Sequence, residues 1–489
     1  MATTISGTSG PDTIISQTGD TVFGNGGNDF ITATGDGGLI YGNTGSDTLL
    51  SLGANTLFGG QGDDSLKSGA GKSVLYGDKG ADILIATFQD TLIGGDSLGT
   101  DTSNDTLIAQ AQSVLYGNKG SDSLVGAATA TLYGGQGDDI LIGQGSGYLS
   151  GDDGNDSLLG KAGDTLIGAN DADTLVSQGA TLLYGNKGKD ILTIEGATTA
   201  NVTMYGGQDD DILYGNGKSG VLYGDLGNDT IIATVPGSTD TVYGGKGGDS
   251  ILGSDTADFL VGGSNTEGTE TLDSGIDTID AKAGNDTIYA GSGGSSISGG
   301  AGTDKIFGGA GADLIYGGTD NDTIYAGAGT DSIVGGLGDD SIVLEKDGVS
   351  DQIWFIPSKV AVGTPDPLGL PQAVAEFPFY PQGATPAGDT IIGFEVGVDK
   401  IVLDGTATTY TGNFVIFPAL SSTAPVSLSI VTSTDANLIN AAQGSLIYCS
   451  PTGELFYNPD GPAPGLGGGG KFATLDKNLA LSPTDFLIV

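Results

Sequence analysis

From Ala281 to Val343 the chain divides without gaps into seven units of nine residues: "AKAGNDTIY", "AGSGGSSIS", "GGAGTDKIF", "GGAGADLIY", "GGTDNDTIY", "AGAGTDSIV" and "GGLGDDSIV". Each opens as a glycine-bearing loop and ends as a short apolar strand. Glycines at places one, two and four permit tight turns and positive φ. The Asp at place six, present in every unit but the second, can close the loop onto a cation through oxygen ligands. The large apolar residue at place eight stands between two neighbours that face the other way, as a strand requires.

The region before this array keeps a different count. Asp29, Asp47, Asp64 and Asp82 recur every 17 or 18 residues, and after an irregular "GGDSLGTDTSND" stretch Asp105, Asp122, Asp139, Asp156, Asp173 and Asp190 follow at intervals of 17. The ladder continues less evenly through Asp211, Asp229 and Asp249. Full nonapeptide loops alternate here with Asp-poor half-turns such as "SLGANTLF", "SGAGKSVLY", "GAATATLY" and "SQGATLLY". If one coil takes 17 or 18 residues, this ladder lies along one edge. The opposite edge is then expected to be largely metal-free and closed by backbone and Ser/Thr hydrogen bonds. In the final array Asp313 and Asp331 fall on one edge and Asp286, Asp304, Asp322 and Asp340 on the other, so metal is expected on both.

These units resemble the RTX family of calcium-binding secreted proteins, whose nonapeptide has the form GGxGxDxUx, with U a large apolar residue. The resemblance implies an all-β fold, a right-handed parallel β-roll with two nonapeptides per turn and multiple calcium ions between successive loops. On it, the candidate metal ligands are Asp29, Asp47, Asp64, Asp82, Asp122, Asp139, Asp156, Asp173, Asp190, Asp211, Asp229, Asp249, Asp286, Asp304, Asp313, Asp322, Asp331 and Asp340. It further implies a chain that stays export-competent in low cytosolic calcium and folds outside the cell.

The net charge of −44 supports a missing cation, since such a chain repels itself and disfavours nucleic acid and anionic lipid. About twenty divalent ions would cancel most of it. The chain has no His and one Cys, which removes the commonest transition-metal ligand and general base, makes a zinc site improbable and excludes an internal disulfide framework. Hard oxygen ligands remain. No segment reaches the roughly 20 apolar residues of a membrane helix, and the opening "MATTISGTSGPDTII" does not read as a signal peptide. With the repeat starting inside the first thirty residues, no separate amino-terminal catalytic domain is expected. There is no H-E-x-x-H and no His-based triad. Paired carboxylates such as Asp63-Asp64, Asp138-Asp139 and Asp339-Asp340 are explained more simply as repeat loops than as a glycosidase pair. The expectation is therefore a non-enzyme.

Phe23, Tyr41, Phe58, Tyr76, Tyr116, Tyr133, Tyr184, Tyr205, Tyr223 and Tyr243 each follow an inward-facing apolar residue. Strand alternation places them outside, one coil apart at about 4.8 Å. There they shield the sheet, or form a stripe for lateral docking or for stacking on glycans. The slip at "SNTEGTET", Ser264 to Thr271, is expected to be a surface bulge.

After Leu344 the nine-residue count ends. "DTIIGFEVGVDKIVLDG" resembles the strand pair that terminates RTX rolls, with Trp354, Phe355, Phe379 and Tyr380 placed to cover the last sheet edge. The tail "GSLIYCSPTGELFYNPDGPAPGLGGGGKFATLDKNLALSPTDFLIV", with its Asp460-Gly461 turn, is similar to the cyanobacterial type of RTX tail. That similarity implies an uncleaved type I secretion signal read by the type I secretion machinery.

The expected organisation is a long roll with alternating calcium-binding and Asp-poor half-turns over 1–273, a regular nonapeptide roll over 274–343, and a β-rich capping and secretion region over 344–489. The expected function is a secreted structural or cell-surface protein of a surface layer, sheath or biofilm matrix, self-assembling laterally or as a homo-oligomer. The alternative is an extracellular carbohydrate-binding or adhesion module that takes surface glycans.

Overall fold

The structure is a computed structural model that describes residues 2–69, 71–96, 98–110, 112–179, 182–195, 198–215, 217–234, 237–263, 275–355, 388–403, 428–432, 446–457 and 471–488. The "SNTEGTET" bulge, Phe379, Tyr380 and the Asp460-Gly461 turn lie outside the described residues. The fold is an all-β parallel solenoid divided into two compact units, Met1–Thr230 and Ile231–Val489.

In the first unit the chain steps alternately between two parallel sheets. Strands such as Thr21–Gly26, Leu39–Thr44, Thr56–Gln61 and Val74–Lys79 build the first sheet, each pairing with the strand one coil later. Between them in sequence, Phe30–Ala33, Thr48–Ser51 and Ser65–Ser68 build the second. Pairing holds one register throughout, so the same repeat place stacks on itself: Leu115 on Leu132 on Leu149 in the first sheet, Leu107 on Leu124 on Leu141 in the second. All six are fully buried. The strand period of two leaves one large inward side chain per half-coil, so the core is two facing ladders of aliphatic residues.

Outward places of the first sheet carry the aromatic stripe. Phe23, Tyr41, Phe58 and Tyr76 stack with ring centroids 5.0, 4.7 and 4.8 Å apart and planes within 12° of parallel. Tyr116 and Tyr133 form a second stack, and Tyr184, Tyr205 and Tyr223 a third. Ile93 interrupts the row between Tyr76 and Tyr116, and Ser150 and Ile167 interrupt it after Tyr133. The stacking distance is simply the spacing of hydrogen-bonded strands.

The second unit repeats the scheme. Lys305–Ala310, Thr323–Ala328 and Ser341–Val343 stack in the first sheet, and Ser296–Ala301, Leu314–Thr319 and Ser332–Leu337 in the second. Tyr289, Phe307 and Tyr325 continue the aromatic motif at 4.4 and 4.8 Å. The motif "DTIIGFEVGVDKIVLDG" behaves differently from the terminating strand pair expected. Asp389–Ile392 and Lys400–Leu403 do not pair with each other; they add a parallel strand to the first and second sheets, against Ser341–Val343 and Gln352–Phe355. The physical reason is that Asp389 and Asp399 occupy the place-six position, each accepting a backbone N–H from the coil before.

Termination falls to the end of the chain. Lys471–Thr474 pairs with Asp389–Ile392, and Phe486–Ile488 with Lys400–Leu403, so each sheet receives a last parallel strand. Leu446–Cys449 and Glu454–Tyr457 form an antiparallel hairpin that continues onto Lys471–Thr474. Tyr448 is fully buried there; its hydroxyl donates to the Asp476 carbonyl and accepts the Leu479 N–H. Phe355 meets Phe472 edge-on at 5.2 Å. Among the described residues no helix is long and apolar enough to cross a membrane.

Inward and outward rows carry unequal weight. Leu141→Ala, which opens a cavity between fully buried neighbours, is expected to cost about 2–5 kcal/mol in denaturant titration of the folded protein. Tyr205→Ser, which removes two ring stackings from a half-buried row, is expected to cost about 0.5–1.5 kcal/mol per stacking and to leave the circular-dichroism strand signal intact.

Candidate metal edges

Every Asp singled out from the sequence stands immediately before a strand, in the turn between the sheets, and none is more than 3 % exposed. Two features of the repeat put it there. At place four a positive φ and close coil stacking coincide: Gly62 has φ of 116°, and a Cβ on it would lie 2.4 Å from the Gly45 carbonyl oxygen. At place one the need is different from the positive φ expected. Gly59 carries no positive φ, yet a Cβ on it would lie 2.4 Å from Asp64 Oδ2 and 2.6 Å from the Gly77 carbonyl oxygen. Gly59 suits its place because the Asp64 carboxylate and a carbonyl oxygen of the next coil turn towards its Cα; Ala281, Ala290 and Ala326 fill the same place in the final array.

The carboxylates form a continuous ladder. In the first unit the backbone N–H of Asp29 donates to Asp47 Oδ1 at 2.7 Å, Asp47 to Asp64 at 2.6 Å and Asp64 to Asp82 at 2.7 Å. The pattern runs on through Asp122, Asp139, Asp156, Asp173, Asp190, Asp211 and Asp229. In the second unit Asp249 starts one edge, followed by Asp277, while Asp313 donates to Asp331 on that same edge. Asp286, Asp304, Asp322 and Asp340 form a ladder on the opposite edge. The two-edged array expected from sequence is thus the arrangement of the side chains.

One oxygen of these carboxylates is therefore taken. Among the described residues Oδ2 of Asp29, Asp47, Asp64, Asp82, Asp122, Asp139, Asp156, Asp173, Asp190 and Asp211 is buried and accepts no hydrogen bond. The same holds for Asp286, Asp304, Asp313, Asp322, Asp331 and Asp340. A buried charged oxygen without a partner is costly, and these recur coil after coil beside carbonyl oxygens. That donor set, carboxylate and carbonyl oxygen only, fits a hard divalent cation such as calcium. Among the described residues no three acidic side chains converge as a cage. Each position offers a single carboxylate per coil, and the remaining ligands of a cation there would be carbonyl oxygens and those of the next coil.

Sequence reasoning missed members of both ladders and a distinction between them. Asp105, left out of the candidate set, receives the Asp82 N–H at 2.8 Å and has the same unpartnered Oδ2. Asp351 and Asp399 prolong one edge of the second unit. On the Asp-poor edge of the first unit Asp20, Asp90 and Asp164 occupy the same pre-strand place, with Asn55 and Ser73 standing in between. These carboxylates are closed: Asp20 Oδ2 accepts the Gln17 N–H, Asp90 Oδ2 the Thr87 N–H and Ser68 hydroxyl, and Asp164 Oδ2 the Lys161 and Gly145 N–H groups. The edge is sealed by its own loops, through Asp and Asn as well as the Ser hydroxyls expected. The signal available was the Asp-Thr-apolar triplet of "GDTVF", "QDTLI" and "GDTLI", shared with ladder positions such as Asp47 and Asp173. It marks the turn but does not say whether the second oxygen is spoken for.

Burial pushes the open carboxyls up, opposed by the donated N–H and reinforced by neighbouring ladder carboxylates: Asp47 to about 6, Asp64 and Asp286 to about 7, Asp139 and Asp173 to about 8, Asp82 and Asp322 to about 9. The closed Asp20 moves the other way, held down chiefly by the Gln17 and Thr3 N–H groups.

These are the features of a calcium-binding parallel β-roll. The model of the RTX calcium-binding nonapeptide repeat (4 copies) matches residues 2–31, 16–49, 51–85, 131–147, 144–166, 197–217, 205–234, 237–266, 272–306, 280–315, 289–324 and 307–342, more than half of the chain. The chain belongs to that family; calcium is its ion, and its repeats are structural rather than catalytic. No curated protein matches the chain.

The raised carboxyls fix the sign of a pH effect on the metal-free protein. A group whose folded pKa lies above its unfolded value contributes stability that is complete below about pH 4 and is lost as pH rises through the folded values of about 6 to about 9. Metal-stripped protein is therefore expected to hold more circular-dichroism strand signal at pH 5 than at pH 8. Saturating calcium, which competes with protons for the same oxygens, is expected to reverse the slope.

Proposed function

We propose that this is a secreted structural protein of a cell surface, in a surface layer, sheath or extracellular matrix, whose roll folds when its Asp edges take up calcium. The supporting observation is the row of buried Oδ2 atoms without hydrogen-bond donors. Each half-coil buries one large side chain, while the carboxylates of successive coils repel one another, so a cation between coils supplies folding free energy. In low calcium the edges cannot close and the chain remains extended enough to export; outside the cell calcium closes them. The proposed ligands are the ladder carboxylates, at Asp229 and Asp249 as at the other candidate positions. Residues 1–273 and 274–343 would serve as the load-bearing roll and 344–489 as the cap and type I secretion region.

The structural role draws support from the sheet faces. Acidic side chains are concentrated in the turns, whereas the first sheet presents Phe, Tyr, Thr and aliphatic rows. Sheet faces sparse in charge, with Lys305 and Lys67 as exceptions, suit lateral contact between copies. The same stacked rings, at 4.7–5.0 Å in the Phe23 to Tyr76 run, favour a second role, stacking on sugar rings in an adhesion module.

Sedimentation velocity and circular dichroism on the same samples, from chelator to millimolar calcium, separate these outcomes. The structural role predicts strand signal and large ordered species appearing together. A folded monomer that binds glycan saturably would favour the adhesion module, and full strand signal in chelator at pH 8 would contradict calcium-driven folding.

A further inference from the structure

The coil that breaks the count is where the edge of the first unit differs most from its neighbours. An ordinary loop runs six residues from place-one Gly to place-six Asp, as in Gly77 to Asp82; here Gly94 to Asp105 takes twelve. The family model leaves this loop unmatched, since its matches stop at residue 85 and resume at 131. The ladder nevertheless passes through it, with the Asp82 N–H on Asp105 Oδ1 and the Asp105 N–H on Asp122 Oδ1 at 2.6 Å. The loop rejoins the repeat at Ser103, whose carbonyl oxygen packs against Gly120 as a place-four carbonyl does elsewhere, and Asn104 accepts the Ser121 N–H. The added residues therefore form an excursion between Gly95 and Ser103.

Two acidic residues lie on that excursion, with different fates. Asp96 is consumed by its own turn: Oδ1 accepts the Thr100 N–H at 2.7 Å, Oδ2 accepts the Thr100 hydroxyl, and Lys79 Nζ stands 4.0 Å away. Asp101 is turned inward. It is only 9 % exposed, its Oδ1 accepts the Ser103 hydroxyl at 2.9 Å, and its Oδ2 is buried with no hydrogen-bond partner. Its hydrogen bond to Ser103, two residues before Asp105, fixes it on the same turn as that ladder member. A Cβ on Gly95 would stand 3.8 Å from Asp101 Cβ, consistent with the excursion folding back over the coil.

We propose that this excursion builds a divalent-cation site outside the nonapeptide pattern, in which Asp101 adds a second carboxylate to the oxygen set of the Asp105 coil and makes it the tightest calcium position of the first unit. Ordinary coils supply one carboxylate each; affinity of oxygen sites for calcium rises with ligand charge. The site rests on the calcium-binding edge proposed above and adds to it a residue that the repeat does not encode. Placed mid-ladder, the first position to fill would also be where the edge starts to close.

The test is isothermal titration calorimetry of the full-length chain with calcium chloride. Asp101→Asn keeps an acceptor for Ser103 and removes only charge; Glu195→Gln, at an exposed position, is the charge-matched control. The expected result is that Asp101→Asn weakens the tightest class of sites by about tenfold or more while the weaker classes and the control are unchanged. An Asp101→Asn isotherm that superimposes on the native one, with the native chain still binding calcium, would overturn this site and leave the edge intact. Absence of calcium binding by the native chain would overturn both. Lost strand signal of Asp101→Asn at saturating calcium would make Asp101 a turn-closing acceptor and equally overturn the proposal.

Discussion

A carboxylate with one oxygen bonded and the other buried without a donor is the interaction on which this fold depends. Oδ1 of each ladder Asp ties its coil to the backbone of the coil before, which sets the stacking and carries the register from one end of a ladder to the other. Among the described residues, Oδ2 of the open ladder members from Asp29 to Asp211 and from Asp286 to Asp340 leaves a buried charge inside the turn that accepts no hydrogen bond. Protonation, repulsion or a cation are the three ways such an oxygen can be accommodated, and they have opposite consequences for stability. The proposed calcium row is the one that keeps the coils together at neutral pH while cancelling charge on a chain of −44.

The glycines serve that carboxylate as much as they serve the turn. At Gly59 a side chain would meet Asp64 Oδ2, and at Gly62 the carbonyl of the previous coil, although Ala281 and Ala326 at place one and Asp209 and Asp320 at place four carry side chains in other loops. Place two is more tolerant, because Asn25, Asn43 and Asp78 hold φ of 73–77° there, a conformation that Asn and Asp adopt more readily than other side chains. The repeat is therefore a steric pattern with a charge at its centre. Where loops close on themselves, as at Asp20, Asp90 and Asp164, local N–H groups occupy both oxygens and the edge needs no ion to be satisfied.

Much of this was legible in the sequence because the roll is periodic in the same way as its code. The alternation at place eight dictated which Leu and Ile are buried, and the residue after it dictated the outward aromatic row. The split of Asp313 and Asp331 from Asp286, Asp304, Asp322 and Asp340 followed from counting coils. Two things were not legible. Whether an Asp is open or closed depends on a backbone N–H three or four residues earlier, as for Thr87 and Asp90, and the Asp-Thr-apolar triplet occurs in both classes, at open Asp47 and Asp173 as at closed Asp90. The strands that end the sheets, Lys471–Thr474 and Phe486–Ile488, join their partners across long sequence separations that carry no period. Asp389 and Asp399 were hidden for the same reason, being coil members beyond a break in the count.

The most direct measurement is anomalous diffraction from crystals of the full-length protein grown in calcium. The expected result is a row of calcium peaks within bonding distance of Oδ2 along the Asp29 to Asp211 edge, rows on both edges around Asp286 to Asp340, and no peak beside the closed carboxylates of Asp20, Asp90 and Asp164. A folded roll whose open Oδ2 atoms meet only water or one another would contradict the account.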